Sequence, residues 1–270
     1  MSNQNGKTAI TVICTILTIA LIGYRVVNRI ARAHNRGNKS TEFVEKIQAK
    51  AYLRPLIDTI NDGGPYADIF GQVDSFQYKD GNVIVHISLD EESEGRIWTI
   101  KNNEEKIKEA YLTLYSYPNL FQSTLLEVMS IADVGMTLDF RDKNSNDSCR
   151  LYIFKYGVTR AIKEKNVSAM DYILAENELL NLCPDNSTED VCFEKVSIEG
   201  DYRVFQYLCK DHIISYMESN KNMKKKEILD SYMGGDGEDL VKTAGLGMKF
   251  KYYNPISGKE CIITIENYEL

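Results

Sequence analysis

The sequence predicts an α+β protein in which an N-terminal transmembrane helix precedes two tandem α-ββ-αα-ββ repeats. Each repeat is expected to form an antiparallel sheet with helices on one face. Three observations carry this prediction. Residues 9–27 are almost wholly apolar, residues 131–154 match residues 243–266 without a gap, and hairpin patterns alternate with helical patterns in both halves of the chain. Antiparallel hairpins with segregated helices are typical of the α+β class.

The predicted membrane span reads AITVICTILTIALIGYRVV, with Arg25 as its single charge. This length matches the ~20 residues that a helix needs to cross a ~30 Å hydrocarbon core. A cleaved signal peptide is the alternative, but only Lys7 precedes the apolar stretch and no small-x-small cleavage site follows it. We therefore predict an uncleaved anchor, with residues 1–40 forming the span and a basic juxtamembrane helix.

One face of the predicted span carries hydroxyl side chains at helical spacing. Small β-hydroxy residues on one face permit close approach of helices in lipid, although threonine is also simply tolerated in a span. The pattern is compatible with a homo-oligomer formed through Thr8, Thr11, Thr15 and Thr18.

Charge is distributed unevenly along the chain. Residues 1–40 hold six basic residues and no acidic one, whereas the whole chain has a formal charge of −7, so residues 41–270 carry −13. An acidic body repels phosphate backbones, and nucleic-acid binding is disfavoured. The basic residues lie mainly after the span, which by the positive-inside rule predicts a cytoplasmic soluble domain.

The first repeat is predicted over residues 41–160. Thr41 is expected to cap a helix that Pro55 either restarts or kinks. The inward face of this helix is predicted to carry Phe43, Val44, Ile47 and Ala51. Asp80-Gly81 between two alternating runs is a strong hairpin signal. The remaining predicted elements are strands 73–78 and 83–89, helices 103–116 and 120–133, and strands 136–140 and 149–154.

The second repeat is predicted over residues 161–270 and follows the same order. Its strands and turns are marked by Glu199-Gly200-Asp201 and by the run from Asn254 to Gly258. The predicted elements are helix 168–182, strands 192–198 and 202–209, helices 222–233 and 238–244, and strands 248–254 and 260–265.

The identical residues of the internal match lie at a helix end, at a strand start and in the far strand of a hairpin. These positions define one repeated structural unit. Gly135 and Gly247 are expected to end their helices as left-handed glycines. The identical pairs, all 112 residues apart, are Ala132/Ala244, Gly135/Gly247, Met136/Met248, Ser145/Ser257, Cys149/Cys261 and Ile153/Ile265.

No catalytic motif such as GxSxG, HExxH, a Walker loop or GxGxxG after a strand is present. Residues 142–147 imitate the start of a calcium loop, but such a loop needs glycine and glutamate where this chain has Asp147 and Ile153. A polar hairpin tip is the better interpretation. The acidic run 90–94 is interpreted as a solvated face. The sequence thus predicts no catalytic, metal or cofactor-binding residues.

The histidines and cysteines do not form a site in the sequence. His34, His86 and His212 do not converge, with His86 on the less apolar face of its strand. Five cysteines follow Cys14, at wide spacings, and Cys149 and Cys261 are predicted to be core thiols. Cys183 and Cys192 are the one plausible local disulfide.

The stretches VSIEGDYRVFQYLCKD (196–211) and AGLGMKFKYYNPISGKECIITI (244–265) carry a resemblance. They are similar to a group of bacterial cell-envelope proteins of undefined role, built from one or two such units with a strand like "LEGNYVVYTYTVDE" and a terminal "AGxGLxYxYxxxxSGKxxxI". The resemblance extends more faintly to residues 73–153. It implies an exported or membrane-tethered module with no catalytic residues to transfer.

Two functions of different class remain open at this point. One is a single-pass inner-membrane protein whose duplicated soluble part is a non-enzymatic binding or interaction module for a protein or peptide. The other is a small cell-envelope hydrolase or transferase using a cleft between the repeats. The resemblance favours export of the soluble domain, whereas the charge asymmetry favours the cytoplasm.

Overall fold

The computed structural model describes residues 39–89, 95–118, 120–145, 147–164, 166–182, 188–232 and 236–270. Over these ranges the chain has a mixed α+β fold with two sheets. It divides into two compact units, Met1–Asn166 and Val167–Leu270. No helix within the described ranges is long and apolar enough to cross a membrane, and the predicted span lies outside them.

The first unit contains a five-stranded sheet in the order β1-β2-β3-β4-β5. Its helices are α1 (Lys39–Gly63), α2 (Arg96–Asn102), α3 (Glu104–Ser116), α4 (Phe121–Ala132) and α5 (Lys155–Glu164). Its strands are β1 (Tyr66–Asp68), β2 (Gly71–Lys79), β3 (Asn82–Leu89), β4 (Gly135–Asp142) and β5 (Ser148–Ile153).

The second unit contains a four-stranded sheet in the order β6-β7-β8-β9. Its helices are α6 (Ala169–Leu182), α7 (Asp211–Ser219), α8 (Lys221–Tyr232) and α9 (Asp236–Thr243). Its strands are β6 (Val191–Glu199), β7 (Tyr202–Cys209), β8 (Gly247–Tyr253) and β9 (Glu260–Ile265), followed by a short 3-10 helix, Asn267–Glu269.

The prediction of purely antiparallel sheets is wrong. The four predicted hairpins are present, but β3 pairs with β4, and β7 with β8, in parallel. Asn82 at the start of β3 lies beside Gly135 at the start of β4. The helices between the hairpins therefore form a crossover that returns the chain to the end where the previous strand began, as parallel pairing requires.

Among the described residues, three helices rather than the predicted two separate the hairpins of each unit. The additional ones are α2 and α7, which begin within a few residues of the preceding strand. A further helix, α5, occupies part of the stretch predicted only to join the repeats. These three helices have 7, 9 and 10 residues, which is shorter than the roughly 11–18 residues over which an apolar period identifies a helix.

The first half of α1 presents a different face from the predicted one. Phe43, Val44 and Ile47 are 67%, 49% and 51% exposed, and Ala51 is exposed too. The helix continues on both sides of Pro55, and both of its halves pack one side against the core. That side carries Ala49, Leu53, Leu56, Ile57 and Ile60.

The prediction that Gly135 and Gly247 adopt the left-handed conformation is also wrong. The left-handed residues are Asp133 (φ 57°) and Gly245 (φ 75°), two positions earlier in each unit. Gly135 and Gly247 instead begin β4 and β8. A Cβ on Gly247 would lie 2.6 Å from the backbone oxygen of Ile265. Glycine is needed there for close approach to the neighbouring strand.

An asparagine ties the first helix of each unit to the first long strand. Asn61 Nδ2 donates to the Phe76 carbonyl at 2.9 Å, and the Phe76 amide donates to Asn61 Oδ1 at 2.8 Å. Asn181 makes the same pair of bonds with Val196, at 2.8 and 2.7 Å. In both strands a β-bulge lies just before the tied residue. Phe76 lies beyond the residues of β2 that pair with β1, and β6 is an edge strand. The asparagine therefore satisfies backbone groups on the side of the strand that has no neighbouring strand in the described part of the chain.

Candidate functional site

The strands of the first unit alternate between an apolar face and a polar face. Val85, Leu138 and Leu151 are fully buried in the core. The residues that alternate with them along each strand point to the opposite side of the sheet, here called the outer face. Strand register brings three outer-face residues into one row, which places Asp139 between His86 on β3 and Arg150 on β5.

Asp139 is the centre of a group of charged side chains on this face. Its Oδ2 atom accepts bonds from Arg141 Nη2 at 2.7 Å and Arg141 Nε at 3.1 Å. Its Oδ1 atom accepts a bond from Arg150 Nε at 2.9 Å, and Nδ1 of His86 lies 2.9 Å from Oδ2. These four residues, Asp139, Arg141, Arg150 and His86, are called the Asp139 cluster below.

The carboxylate lies beneath its partners. The side chain of Asp139 is 1% exposed, whereas those of Arg141 and Arg150 are both 54% exposed and that of His86 is 20% exposed. The two guanidinium groups therefore shield the carboxylate from water while keeping part of their own surface in solvent. A buried charge needs such paired and hydrogen-bonded partners.

Two opposing effects set the ionisation of Asp139. Burial raises the pKa of this carboxyl, but the hydrogen bonds and positive charges of Arg150 and Arg141 outweigh burial, and the pKa is lowered. The hydrogen bond to Asp139 in turn raises the pKa of Arg150. The carboxylate is thus held ionised at neutral pH, and both arginines stay charged.

The His86–Asp139 pair resembles the base and orienting acid of a catalytic dyad, since the carboxylate fixes one ring nitrogen and leaves the other for a substrate. A nucleophile would have to lie within hydrogen-bond reach of the second nitrogen. Among the described side chains, none bonds to Nε2 of His86. The nearby Ser88 hydroxyl donates instead to Asp74. The arrangement lacks the third member that covalent catalysis needs.

The second unit provides a comparison on the same framework. At the positions that match Asp139, Arg150 and His86, it has Lys251, Ile262 and Gln206. Lys251 is paired with Glu260 at 3.3 Å across the strands. The four strands that the two sheets share nevertheless have the same order and register. A buried aspartate with two arginines is therefore not required to form this sheet.

The second unit holds its own buried charge on the core side. Arg203 is 4% exposed, its Nε donates to Asn177 Oδ1 at 2.8 Å, and its Nη2 lies 2.8 Å from Glu176. Its guanidinium also lies 5.0 Å from the ring centre of Phe205. Nδ2 of Asn177 is buried and has no hydrogen-bond partner among the described residues. These residues are part of the packing between α6 and β7.

The calcium-like stretch 142–147 forms the tip of the β4–β5 hairpin. Oδ1 of Asp142 accepts bonds from the amides of Asn144 and Ser145. Oδ1 of Asn254 accepts the same bonds from Ile256 and Ser257 at the matching tip. Because an amide oxygen replaces the carboxylate there, the bonds organise the turn and need no cation.

The other predicted candidates stay apart. His212 is 64% exposed, with Nε2 3.7 Å from Asp190, and no group of three metal-ligating side chains occurs in the described part of the chain. His34, the acidic run 90–94, Cys183 and residues Thr8, Thr11, Thr15 and Thr18 lie outside the described residues.

Cys149 and Cys261 are buried in the two cores, as the sequence predicts. Burial raises the pKa of both thiols. Burial also raises the pKa of Cys209 to about 11. Reactive cysteines have a lowered pKa and partial exposure, so these three thiols have the opposite properties.

Sequence reasoning missed the Asp139 cluster. It placed His86 on the polar face of β3 but did not connect it to residues more than 50 positions away. The signal is present as three charged residues at alternating strand positions, Asp139, Arg141 and Arg150. Only the parallel pairing of β3 with β4 reveals that His86 belongs with them.

Comparisons with known proteins give no family. No family model matches the chain, and no curated protein matches it. Among solved structures, a protein of Pseudomonas aeruginosa described as a proposed secreted protein is similar over 32% of this chain and 77% of its own, with 14% sequence identity and a TM-score of 0.29. This likeness is too slight to carry an argument about fold or function.

Proposed function

We propose that the protein is a membrane-tethered, non-enzymatic binding module built from a duplicated α+β unit. The observation that carries the proposal is the difference between two equivalent outer faces. One framework carries the Asp139 cluster and the other does not, so the cluster is an addition to the fold rather than a part of its construction. An ordered set of exposed guanidinium groups is suited to recognition.

Duplication is supported by hydrogen bonds that recur at matching positions. They include the asparagine ties, the hairpin tips and the helix ends before β4 and β8. At those ends, Val134 N donates to Met129 O and Leu246 N donates to Val241 O, at 3.0 and 3.1 Å. Matched register along each hairpin agrees. We infer that each half is one α-ββ-helices-ββ unit, with its helices against one face of its sheet.

The membrane tether rests on the composition of residues 9–27 and on the resemblance to cell-envelope proteins. We propose a single-pass bacterial inner-membrane protein with its soluble domain in the cytoplasm. The threonine face of the span would allow self-association. A protein or peptide partner is proposed, and nucleic acid is disfavoured by the acidic body.

The His86–Asp139 pair is the one observation that favours an enzyme, and a hydrolase or transferase is the second candidate. Binding is the better supported function because two arginines already share the carboxylate that a dyad would reserve for histidine. A catalytic cysteine is opposed by the raised pKa of Cys149, Cys209 and Cys261.

The proposed function is tested by capture from the native membrane. The tethered protein is cross-linked in its membrane, solubilised and recovered, with the double variant Arg141→Gln/Arg150→Gln and the control Arg160→Gln treated in parallel. Arg160 is a 41% exposed arginine of the same unit, paired with Glu109 at 3.0 Å. A partner that is recovered with wild type and control but lost with the double variant is expected.

Thiol chemistry tests the enzymatic alternative independently. We expect the three core thiols to react slowly with a thiol reagent at neutral pH in the folded protein and fast after unfolding. Rapid modification of Cys149, Cys209 or Cys261 in the native state would count against the binding proposal. In the capture experiment, equal recovery of every partner with wild type and with the double variant would also count against it.

A further inference from the structure

We propose that the outer face of the first unit binds a single oxyanion, a carboxylate or phosphate group, between Arg150 and Arg141 and beside His86. This inference rests on the proposed binding function and names the chemistry of the ligand.

The first argument is the use of the guanidinium donors. A guanidinium group has five N–H donors in a planar fork. Arg150 directs only Nε at Asp139, and Arg141 directs Nε and Nη2 at one oxygen of the same carboxylate. The hydroxyl of Tyr152 is a further neighbour of Arg150. Most of the N–H donors are therefore not used by Asp139, and both side chains are about half exposed.

The second argument is preorganisation. Asp139 lies beneath the two arginines and accepts a hydrogen bond from the Nε atom of each. The arginine side chains are therefore already ordered before an anion binds, and the entropic cost of binding is smaller than for two mobile arginines. An anion that approaches from solvent meets two oriented groups instead of two mobile ones. Planar, bidentate recognition of carboxylate and phosphate is the interaction for which arginine is best suited.

The third argument is the local charge. The cluster combines two arginines with one carboxylate, an excess of one positive charge without counting His86. Asp74 lies on the β2 side, where Ser88 and Gln72 bond to it. The positive side of the cluster therefore faces β5, with Arg150 and Tyr152. One excess charge suits one anionic group, and the acidic body of the protein disfavours a polyanion.

The fourth argument is the equivalent face of the second unit. Ile262 replaces Arg150 there, and Lys251 is already paired with Glu260. The Nζ atom of Lys249 lies 3.7 Å from the ring centre of Tyr202. That face offers no pair of forked donors, so the inference applies to the first unit alone.

The experiment uses the full chain in nanodiscs of zwitterionic lipid, so that no anionic headgroup competes. Arginine Nε–H resonances are followed by NMR while chloride is replaced by inorganic phosphate in one arm and by acetate in the other, at constant ionic strength. We expect saturable shifts of the Arg141 and Arg150 resonances. The arm with the tighter binding identifies the ligand group.

Matched variants assign the effect to the cluster. Loss of one charged hydrogen-bonding partner is expected to weaken binding about 10-fold in Arg150→Gln and in Arg141→Gln. Arg160→Gln should bind as wild type does. Thermal melts check that each variant is folded, and two separate arginine variants keep the test valid if one of them does not fold.

Three outcomes bear on this inference and on the function on which it rests. Unchanged Arg141 and Arg150 resonances in both arms, with partner capture still lost in the double variant, would overturn the oxyanion and leave the binding module. The inference would also be overturned if the Arg141 resonance shifted equally on anion addition in wild type and in Arg150→Gln. Absence of both anion binding and cluster-dependent capture would defeat both proposals.

Discussion

At the scale of single residues, the effects of burial and hydrogen bonding on ionisation are clearest at Asp139. Its carboxyl group is almost fully buried, yet its pKa is lowered because hydrogen bonds and charges from two arginines outweigh the effect of burial. The same burial without such partners raises the pKa of Cys149. Neighbouring charges, rather than depth alone, determine which form is stable.

Asp139 therefore contributes to stability in a defined range of pH. An aspartate in the unfolded chain has a pKa of ~3.9. Because the folded-state pKa is lower, the contribution is present above about pH 4 and is lost as the pH falls through the folded-state pKa. We expect Asp139→Asn to cost roughly 1–3 kcal/mol at pH 7, and to cost less at pH 3.

Urea unfolding of the wild type and Asp139→Asn at both pH values measures this difference. The exposed Asp58 provides the control, as Asp58→Asn should change stability little at either pH. An equal loss for Asp139→Asn at pH 7 and pH 3 would contradict the prediction.

Two glycines that are two residues apart should respond differently to substitution. Gly245 has a left-handed conformation that Asp133 adopts in the first unit, and nothing lies within 4 Å of a Cβ built on it. Gly247 has no such space, because its Cβ would meet the Ile265 carbonyl. We expect Gly245→Asn to cost less than about 1 kcal/mol, and Gly247→Ala to cost about 1–3 kcal/mol.

Thermal unfolding of the two variants compares them directly. A lower midpoint for Gly245→Asn than for Gly247→Ala would show that backbone conformation, rather than close approach, dominates at this helix end. The sequence alone had placed the special conformation at Gly247, two residues too late.

At the scale of elements, the two units show two solutions to one packing problem. In the second unit Arg203 on β7 meets Glu176 and Asn177 on α6. The matching positions of the first unit are Val83, Leu56 and Ile57, which are 0–3% exposed. The same helix and strand are thus packed once by an ion pair and once by apolar side chains.

This exchange gives a prediction for stability. Replacing a whole buried ion pair by apolar residues is often neutral or stabilising, whereas removing one partner leaves an uncompensated charge. We expect the triple variant Glu176→Leu/Asn177→Ile/Arg203→Val to be at least as stable as wild type. Glu176→Leu alone should cost about 2–4 kcal/mol, since Arg203 remains buried.

Denaturant unfolding of both variants checks this expectation. Leu56→Glu in the first unit is a matched control, since it places a carboxylate opposite Val83 without a cation and should destabilise strongly. A triple variant that is less stable than Glu176→Leu would contradict the prediction. It would show that residues around these three positions also differ between the two cores.

Hairpins were predictable because their signals are local. Asp80-Gly81, with φ of 51° and 78°, forms the turn that the dipeptide indicates. The pairing of β3 with β4 is not local, and no dipeptide encodes it. The buried side of the first half of α1 was missed because Phe43, Val44 and Ile47 make an apolar stripe of their own, while packing there follows Ala49 and Leu53.

At the scale of the whole molecule, charge and composition separate the chain into parts. Residues 1–40 carry six positive charges, and residues 41–270 carry a net −13. The acidic part contains two compact units that keep apolar cores and differ in their polar faces. Because the two units share a framework but differ in their polar faces, one unit can acquire a ligand site while the other stays unchanged.

The proposed side of the membrane rests on the charges that flank residues 9–27, the proposed span. Lys7 precedes the proposed span, and Arg25 lies near its end. The basic residues that follow the span within the range that the positive-inside rule counts are Arg29, Arg32, Arg36 and Lys39. This asymmetry predicts a cytoplasmic soluble domain. The resemblance to exported proteins predicts the opposite side, so a direct measurement decides between them.

We expect a cysteine introduced at Ile256 to be shielded from a membrane-impermeant thiol reagent in intact spheroplasts and labelled after permeabilisation. Ile256 is 96% exposed at a hairpin tip, so its accessibility reports membrane side rather than burial. The wild type measures the background, to which the partly exposed Cys192 contributes, whereas Cys149, Cys209 and Cys261 are buried. Labelling of Ile256→Cys before permeabilisation would place the domain outside the cytoplasm, and the export implied by the resemblance would then outweigh the charge asymmetry.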